Sequence, residues 1–396
     1  MSGYGLAVST MNGPASVSVR LNPFKRSDAF PDAGRVPWCE YGRMLESRPC
    51  FTLDPLFHAG AYYVQDSSAM FVGWLFRHLT DGRGEGGLKV LDLCAAPGGK
   101  TTDIAASLRL RFGDSFSLVA NEVMAQRARA LADNVIMWGD PNVTVTSADP
   151  KAFAQFGGMF DIIVADVPCS GEGMFRKDSK AFDDWSEDLV SLCEQRQRRI
   201  LADAWPALRE GGMLLYSTCT FEDRENDGNL RWAAGNLGGE ILTAGGPSPF
   251  DGIRKTECGY LLVTGEVPGE GQYAGALRKT SSAPPQSRHA DLASLRTLTG
   301  SGLRKGIWKG RDFVPDPDYA LSLAFNGTEY PSVELDRKTA LAFLHKDAIV
   351  LEDAPLGYVA VRYAGLPLGF VKNLGRRCNN LHPQGRRIMM DINQIQ

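Results

Sequence analysis

Residues 89–101 read Lys-Val-Leu-Asp-Leu-Cys-Ala-Ala-Pro-Gly-Gly-Lys-Thr, a strand–turn–helix segment from which the surrounding fold can be predicted. The apolar run Lys89–Leu93 predicts a buried strand, and Thr101–Arg111 predicts the helix that follows it. Glycines between the two allow a tight turn, and the helix N-terminus presents free N–H groups that suit a small carboxylate ligand. The glycine spacing differs from that of the dinucleotide fingerprint and of the Walker loop.

The pattern continues along the chain, because apolar runs alternate with amphipathic segments from Lys89 to about Lys279. Such alternation is typical of a parallel sheet wrapped by helices. Further strands are predicted at Ser117–Asn121, Asn142–Thr146, Phe160–Asp166 and Met213–Ser217, helices at Val123–Trp138 and Glu187–Leu208, and a closing hairpin at Tyr260–Thr264 and Tyr273–Leu277. The sequence therefore predicts an α/β, Rossmann-like core over residues 86–279.

The regions on either side of this core have a different composition. Residues 1–85 contain several Pro, Gly and aromatic residues and are expected to form a small N-terminal lobe, whose fold the pattern does not define. Residues 280–289 have the composition of a linker. Residues 290–396 are glycine-rich with many short apolar runs, which predicts a separate, β-rich C-terminal domain. A chain of 396 residues is long enough for two or three domains.

Composition excludes several classes of protein. Apolar residues make up 43% and charged residues 22% of the chain, which is typical of a globular protein. No apolar run approaches the length of a membrane helix and the first residues do not resemble a signal peptide, so a cytoplasmic protein without a membrane partner is expected. None of the 8 cysteines forms a Cys-x-x-Cys pair or a zinc-type cluster, and no metal site is expected.

Positive charge is concentrated near the end of the chain, although the net charge is −3. The segment from Gly365 to Met390 contains no Asp or Glu. Its cations are Lys372, Arg376, Arg377, Arg386 and Arg387. Asparagines and a histidine lie between them, a mixture that suits contacts with phosphate and sugar. We interpret this segment as a site that binds the backbone of a nucleic acid.

Two acidic residues follow predicted strands of the core. Glu122 ends the second strand, where doubly wound folds place the acid that binds a ribose diol. Asp149 follows the third strand, where it could accept a hydrogen bond from an adenine amino group. An isolated acid at such a position more often caps a helix, but two of them in this order favour a nucleoside ligand.

Two cysteines follow the fourth and fifth strands of the predicted sheet. Cys169 lies in the segment Asp-Val-Pro-Cys-Ser-Gly-Glu-Gly that begins at Asp166, and Cys219 lies in Ser-Thr-Cys-Thr-Phe, residues 217–221. The carboxyl ends of parallel strands meet at one edge, so both thiols are expected to face one pocket. A thiolate that adds to C6 of cytosine makes C5 nucleophilic, and a carboxyl group such as Asp166 can stabilise the adduct at N3. Isolated cysteines are commonly inert core residues, and spacing alone does not choose between these two as nucleophile.

Three strings carry a resemblance to a known family: Cys-Ala-Ala-Pro-Gly-Gly-Lys at 94–100, Val-Pro-Cys-Ser-Gly-Glu-Gly at 167–173, and Ser-Thr-Cys-Thr-Phe at 217–221. They resemble the Nol1/Nop2/Sun family of RNA cytosine C5 methyltransferases, and most of all its bacterial RsmF-type members, which act on 16S ribosomal RNA. The likeness extends to Ser18–Pro23, Asp54–Tyr63, Pro367–Lys372 and Asn379–Gly385.

The resemblance implies a class I methyltransferase core with a PUA-like C-terminal domain, S-adenosylmethionine as methyl donor and RNA as partner. It implies that Cys219 is the nucleophile and that Cys169 assists product release. The residues implied to hold or border the cofactor are Cys94, Ala95, Ala96, Pro97, Gly98, Gly99, Lys100, Glu122, Asp149 and Asp166. A DNA partner is not expected, and the chain is expected to be a monomer.

Two alternatives remain open on the sequence. A transfer-RNA methyltransferase of the same fold would have the same motifs around a flipped base, and only the basic C-terminal domain favours ribosomal RNA. A non-catalytic RNA-binding assembly factor could retain the cofactor fold, although the presence of both cysteines and Asp166 argues against it.

Overall fold

A computed structural model gives the fold of most of the chain. It describes residues 15–82, 86–177, 179–243, 245–280, 292–299 and 304–392. Of the linker predicted at 280–289, only Thr280 is among them. Within the described part, no helix is both long enough and apolar enough to cross a membrane.

The N-terminal lobe is an antiparallel sheet of four strands in the order β2-β3-β1-β4. The strands are β1 (Val17–Leu21), β2 (Gly34–Val36), β3 (Cys39–Leu45) and β4 (Tyr62–Val64), and the single helical turn α1 (Pro55–His58) precedes β4. Arg20 on β1 is almost completely buried, and its guanidinium donates to Gln65 Oε1 at 2.8 Å and to Thr102 Oγ1 at 2.6 Å. It also stacks on Trp138, 4.5 Å from the ring centroid. One arginine therefore joins the lobe to two helices of the core.

The core is a mixed sheet in the order β11-β12-β13-β9-β8-β5-β6-β7-β14, with β10 paired to β13. Its strands are β5 (Leu88–Asp92), β6 (Phe116–Asn121), β7 (Val143–Thr146), β8 (Phe160–Asp166), β9 (Leu208–Thr218), β10 (Gly239–Ile241), β11 (Ile253–Lys255), β12 (Gly259–Leu262), β13 (Gln272–Lys279) and β14 (Thr297–Thr299). Strands β5 to β9 are mutually parallel, and β13 runs antiparallel to β9. The predicted Rossmann-like α/β core and its closing hairpin are confirmed.

Helices cover both faces of the core sheet. They are α2 (Met70–Thr80), α3 (Gly99–Phe112), α4 (Ala125–Trp138), α5 (Ser179–Asp184), α6 (Glu187–Ala204) and α7 (Asp227–Leu237). Apolar clusters fill the two layers, one with α2, α3 and α4 and the other with α6 and α7. The helix predicted to reach Leu208 ends at Ala204 because Pro206, which has no N–H group, follows in a 3-10 turn.

One short strand extends the core sheet from a segment that the sequence pattern placed in the C-terminal domain. Strand β14 pairs antiparallel with β7, with Thr297 opposite Thr146. Leu295, just before it, is buried in the core cluster beside the sheet. Residues 292–299 thus pack with the core, although the expected domain boundary lies at residue 290.

The C-terminal region contains a hairpin and a small sheet. The hairpin consists of β15 (Gly306–Lys309) and β16 (Asp312–Pro315), and the sheet has the order β17-β18-β19-β20. The sheet strands are β17 (Ser332–Glu334), β18 (Gly357–Tyr363), β19 (Leu366–Asn373) and β20 (Cys378–Asn380), and helix α8 (Arg337–His345) packs against them. The expected β-rich C-terminal domain is confirmed.

The five cations of the basic segment have different surroundings. Lys372 donates to Asp312 at 2.5 Å. Arg386 has a side chain only 9% exposed; it donates to Asp318 and lies 4.0 Å from Asp133 on α4. Arg376, Arg377 and Arg387 are exposed. The expectation that all five contact RNA phosphates therefore does not fit Lys372 and Arg386, because acids distant in sequence already neutralise them.

The buried position of Arg386 predicts a structural role. Arg386→Ala should lower the free energy of unfolding by about 1.5–3 kcal/mol, because it leaves the carboxylate of Asp318 without its charged donor. Arg377→Ala removes an exposed cation from the same domain and should change stability by less than about 0.5 kcal/mol. Urea unfolding of both variants measures the difference. Equal stability of the two variants would contradict this role for Arg386.

Candidate active site

The loop after β5 leads directly into the N-terminus of helix α3. Gly98 has a left-handed backbone with φ of +115°, a conformation that glycine adopts without strain. Helix α3 begins at Gly99, and its first N–H groups have no partner inside the helix. The loop is fixed to the neighbouring strand because Ala95 N–H donates to the carbonyl of Asn121 at 2.8 Å. The glycines therefore lie in the predicted turn between strand and helix, and their role toward a ligand stays a prediction.

Asp92 lies at the bottom of this loop. It is fully buried, and Thr101 Oγ1 donates to its Oδ2 at 2.6 Å. Its Oδ1 is buried with no partner among the described residues. Burial raises the pKa of Asp92 to about 7. An unpartnered buried oxygen of this kind is what a polar ligand in the loop would satisfy, and sequence analysis did not assign Asp92 to the site.

Glu122 follows β6 and is 3% exposed. Its carboxylate accepts from the N–H of Met124 at 2.9 Å and pairs with Arg127 at 3.3 Å. Arg127 also donates to the carbonyl of Ala96 at 2.9 Å, so the acid and the glycine loop share one arginine. The structure thus brings Glu122 beside the loop that follows β5.

Asp149 has a different environment. It is exposed and caps the 3-10 turn Pro150–Phe156, where its Oδ1 accepts from the N–H of Lys151 at 3.0 Å. No hydrogen bond or ion pair connects it to the other predicted site residues within the described part of the chain. Its role toward a nucleoside stays a prediction.

Asp166 and Lys100 form an ion pair at the carboxyl edge of the sheet. Lys100 Nζ lies 2.8 Å from Asp166 Oδ2, and Ser217 Oγ donates to the other carboxylate oxygen at 2.7 Å. Burial lowers the pKa of Lys100, but the charge and hydrogen bond of Asp166 outweigh it, so the pKa is raised overall and the amine stays protonated. The resemblance implied for Lys100 only a place among the residues that hold or border the cofactor. In the structure, its amine contacts Asp166, the predicted catalytic carboxylate.

The two cysteines meet as predicted. Their Sγ atoms are 3.1 Å apart, and the N–H of Cys219 donates to Cys169 Sγ at 3.3 Å. Both side chains are partly exposed, whereas Cys39, Cys193, Cys258 and Cys378 are buried. The hydrogen bond with Cys219, followed by burial, raises the pKa of Cys169 well above its usual range. Cys169 is therefore a neutral thiol near neutral pH.

A buried carboxylate holds the two cysteine loops together. Glu225 is completely buried and accepts from the N–H of Ser170 at 3.2 Å and from its hydroxyl at 2.5 Å. The same hydroxyl lies 2.8 Å from Thr220 Oγ1, next to Cys219. Gln197 on α6 donates to the second oxygen of Glu225 at 2.6 Å. Ser170 and Thr220 adjoin the two thiols, so this network fixes the distance between them.

Glu172 makes a second connection between the same loops. Its Oε2 accepts from the N–H of Phe221 at 2.9 Å and from Thr220 Oγ1 at 3.1 Å. The backbone joins here too, because Gly173 N–H donates to the carbonyl of Cys219 at 2.8 Å. Burial, and then repulsion by Glu222, raise the pKa of Glu172 to about 7. Sequence analysis gave neither glutamate a role, although Glu172 lies within the quoted Cys169 string and Glu225 follows the Cys219 string.

Three family models match successive parts of the chain. One described as 16S rRNA methyltransferase RsmB/F matches residues 83–233. A model of the N-terminal domain of 16S rRNA methyltransferase RsmF matches residues 5–67. A model of the methyltransferase RsmF PUA domain matches residues 330–388.

Individual proteins agree with these models. Ribosomal RNA small subunit methyltransferase F of Pectobacterium atrosepticum is 35% identical over 69% of this chain and 59% of its own length. The protein of that name from Escherichia coli O127:H6 is 36% identical over 63% of this chain and 52% of its own length. The crystal structure of a methyltransferase homolog from Pyrococcus horikoshii is 26% identical, with a TM-score of 0.57 over 68% of this chain and 88% of that one.

The chain thus spans 59% and 52% of the length of these two curated relatives. The three family models follow one another along the chain, and together they match most of it. The chain therefore belongs to the RsmB/F family of 16S rRNA methyltransferases.

Proposed function

We propose that this protein transfers a methyl group from S-adenosylmethionine to C5 of a cytosine in RNA, with 16S ribosomal RNA in the cytoplasm as its substrate. The observation that carries the proposal is the pair of thiols 3.1 Å apart, in the loops that follow β8 and β9. Asp166 is the last residue of β8 and lies at the same edge of the sheet. The names of the relatives support the substrate, since two of them are small-subunit ribosomal RNA methyltransferases.

The loop after β5 fits the proposed cofactor. S-adenosylmethionine would supply an electrophilic methyl group carried on a sulfonium. The first N–H groups of α3 would bind its carboxylate, and the unpartnered Oδ1 of Asp92 would accept from its amino group. Glu122 would accept from the ribose hydroxyls, and Asp149 would accept from the adenine.

The covalent steps follow from the positions of the two thiols. The Cys219 thiolate forms a bond to C6 of cytosine, which moves electron density to C5. C5 then takes the methyl group, leaving S-adenosylhomocysteine. Asp166 stabilises the adduct by a hydrogen bond to the cytosine ring at N3.

Product release requires two further changes. The proton on C5 leaves to a base, and the bond between Cys219 Sγ and C6 breaks as the ring recovers its double bond. Cys169 remains a thiol because its pKa is raised by the hydrogen bond with Cys219 and by burial. Its S–H can therefore donate to the expelled thiolate 3.1 Å away. The proposal thus gives the roles of nucleophile and of proton donor during release to different cysteines.

A direct test combines labelled cofactor with unmodified small-subunit RNA and, in parallel, with transfer RNA. Incorporation into 16S RNA alone, located by bisulfite sequencing, is the expected result. Labelling of transfer RNA alone would show that transfer RNA, and not 16S RNA, is the substrate. Binding of RNA without any labelling would favour an assembly factor instead.

The two cysteines should have opposite phenotypes. Cys219→Ala should abolish methyl transfer and leave cofactor affinity unchanged, because the thiol bonds to the base. Cys169→Ala should accumulate a covalent protein–RNA adduct, visible as a slow band on a denaturing gel, because the expelled thiolate loses its donor. Cys193→Ala, at a buried cysteine outside the site, is the control and should form no adduct. An adduct with Cys219→Ala and none with Cys169→Ala would reverse the two roles.

Cofactor affinity should depend on the two acids that follow β6 and β7. Glu122→Ala and Asp149→Ala should each weaken binding of S-adenosylmethionine by about 1–3 kcal/mol, because hydrogen bonds to a polar ligand are lost. Asp149 also caps a turn, so Asp336→Ala, which removes the cap of α8, is the matched control. It should lower stability comparably without changing affinity. Calorimetry that finds unchanged affinity in both site variants would remove these acids from the site.

Glu225 should affect the rate of methyl transfer, because it positions the loops that carry the two cysteines. Glu225→Ala removes the acceptor shared by Ser170 and Gln197, so the thiols lose their fixed separation and kcat should fall about 100-fold. KM for the cofactor should change little, and Glu225→Gln should recover part of the rate. The exposed Glu257→Ala serves as control. A loss confined to thermal stability, with kcat unchanged in the folded enzyme, would contradict this positioning role.

A further inference from the structure

The hairpin β15–β16 presents an aromatic side chain to solvent. Trp308 is 71% exposed, although large aromatic residues are usually well buried. It lies opposite Phe313 in the hairpin register, and the two rings meet edge to face with centroids 5.2 Å apart. Such a ring is a flat apolar surface that no described part of the chain covers.

The hairpin is stabilised by its own tight turn and by a contact with the C-terminal sheet. A two-residue turn joins its strands, and Gly310 takes a positive φ of +63° at the first turn position, as a tight hairpin turn requires. The ring of Phe313 covers Gly306, where a Cβ would come within 2.9 Å of it. The carboxylate of Asp312 accepts from Tyr358 at 3.0 Å and from Lys372 at 2.5 Å. The hairpin is therefore anchored to the C-terminal sheet, and Lys372 serves this purpose.

Exposed cations lie near Trp308 along the chain. Arg304, Lys309 and Arg311 are exposed and form no ion pair within the described residues. The single acid of the hairpin, Asp312, is neutralised by Lys372. Lys309 and Arg311 flank Gly310 at the tip, one and three residues beyond Trp308. Side chains alternate along a strand, so Lys309 projects from the face opposite to Trp308, next to the turn. An exposed aromatic ring on a hairpin whose tip carries unpaired cations suits single-stranded nucleic acid, which can stack a base on the ring and place phosphates at the tip.

We propose that the β15–β16 hairpin binds an unpaired nucleotide of the substrate RNA, with the base stacked on Trp308 and the adjacent phosphates at Lys309 and Arg311. The inference rests on the proposed function in taking RNA as the substrate. It adds a contact outside the cysteine pocket and outside the segment 365–390. A paired base cannot stack on the ring from within a helix, so the hairpin selects looped or single-stranded RNA.

Charge favours RNA over a protein as the occupant. A protein interface centred on Trp308 would bury the ring against other apolar groups and would be depleted in charge at its centre. Here the ring is flanked by cations with no acid left free in the hairpin. A polyanion satisfies the ring and the cations together.

The test measures binding of a fluorescein-labelled single-stranded RNA and of the matching blunt duplex, without cofactor. Trp308→Ala should weaken single-strand binding about tenfold and affect duplex binding much less. Trp308→Phe, which keeps an aromatic face, should recover most of the affinity. Leu110→Ala removes an exposed apolar side chain from α3 and should have no effect. The double variant Lys309→Ala with Arg311→Ala should reduce the salt slope of single-strand binding by roughly 0.7 for each lost contact.

Two outcomes would overturn the proposal. Equal single-strand affinity of Trp308→Ala and the unaltered protein would exclude stacking at this ring. Unchanged binding to RNA combined with weaker binding to intact small subunits would assign the hairpin to a protein partner. The proposed function is tested separately: if the unaltered protein methylates no RNA yet binds single strands through Trp308, the catalytic proposal fails and the hairpin inference stands.

Discussion

The parallel pairing of β8 with β9 is the constraint on which the site depends. Its register places Asp166 opposite Ser217, so the two strands end together and the loops after them begin at the same height. Cys169 and Cys219 each follow their strand by a few residues and therefore meet. A slip of one residue would turn every side chain of the slipped strand to the other face and separate carboxylate, hydroxyl and thiols. The buried apolar faces of both strands, packed in the two core layers, prevent that slip.

Folding of the site costs free energy, because several of its carboxyl groups are buried and burial penalises their ionised form. Burial raises the pKa of Asp92 and of Glu172 to about 7, well above the ordinary range of such groups. Each folded carboxyl therefore holds its proton to higher pH than the unfolded one. The contribution of this bound proton to the free energy of unfolding is complete below about pH 4 and is lost as pH rises to about 7. A ligand that donates to Asp92 would favour its ionised form, so cofactor binding and the charge of this group are coupled.

Local patterns were enough to predict the core but not the long-range polar contacts. The run Phe160–Asp166 is almost all apolar, and its identity as a buried strand needed no further information. Lys372 and Arg386 looked like free cations because no acid lies near them in sequence. Their partners Asp312 and Asp318 are 60 and 68 residues away. The contact of Glu225 with the Cys169 loop could not be predicted for a similar reason, since Ser170, which donates to it, lies 55 residues earlier.

The same long-range contacts decide which cations remain for RNA. Arg20 and Arg386 are used to join the outer regions to the core, and Lys372 anchors a hairpin. Such groups cannot release a counterion on binding RNA without first breaking a contact inside the protein. In the described C-terminal region, the cations that stay exposed include those at the hairpin tip and three arginines of the basic segment. A net charge of −3 is therefore compatible with RNA binding, because local groups of exposed cations matter more for a polyanion than the sum over the chain.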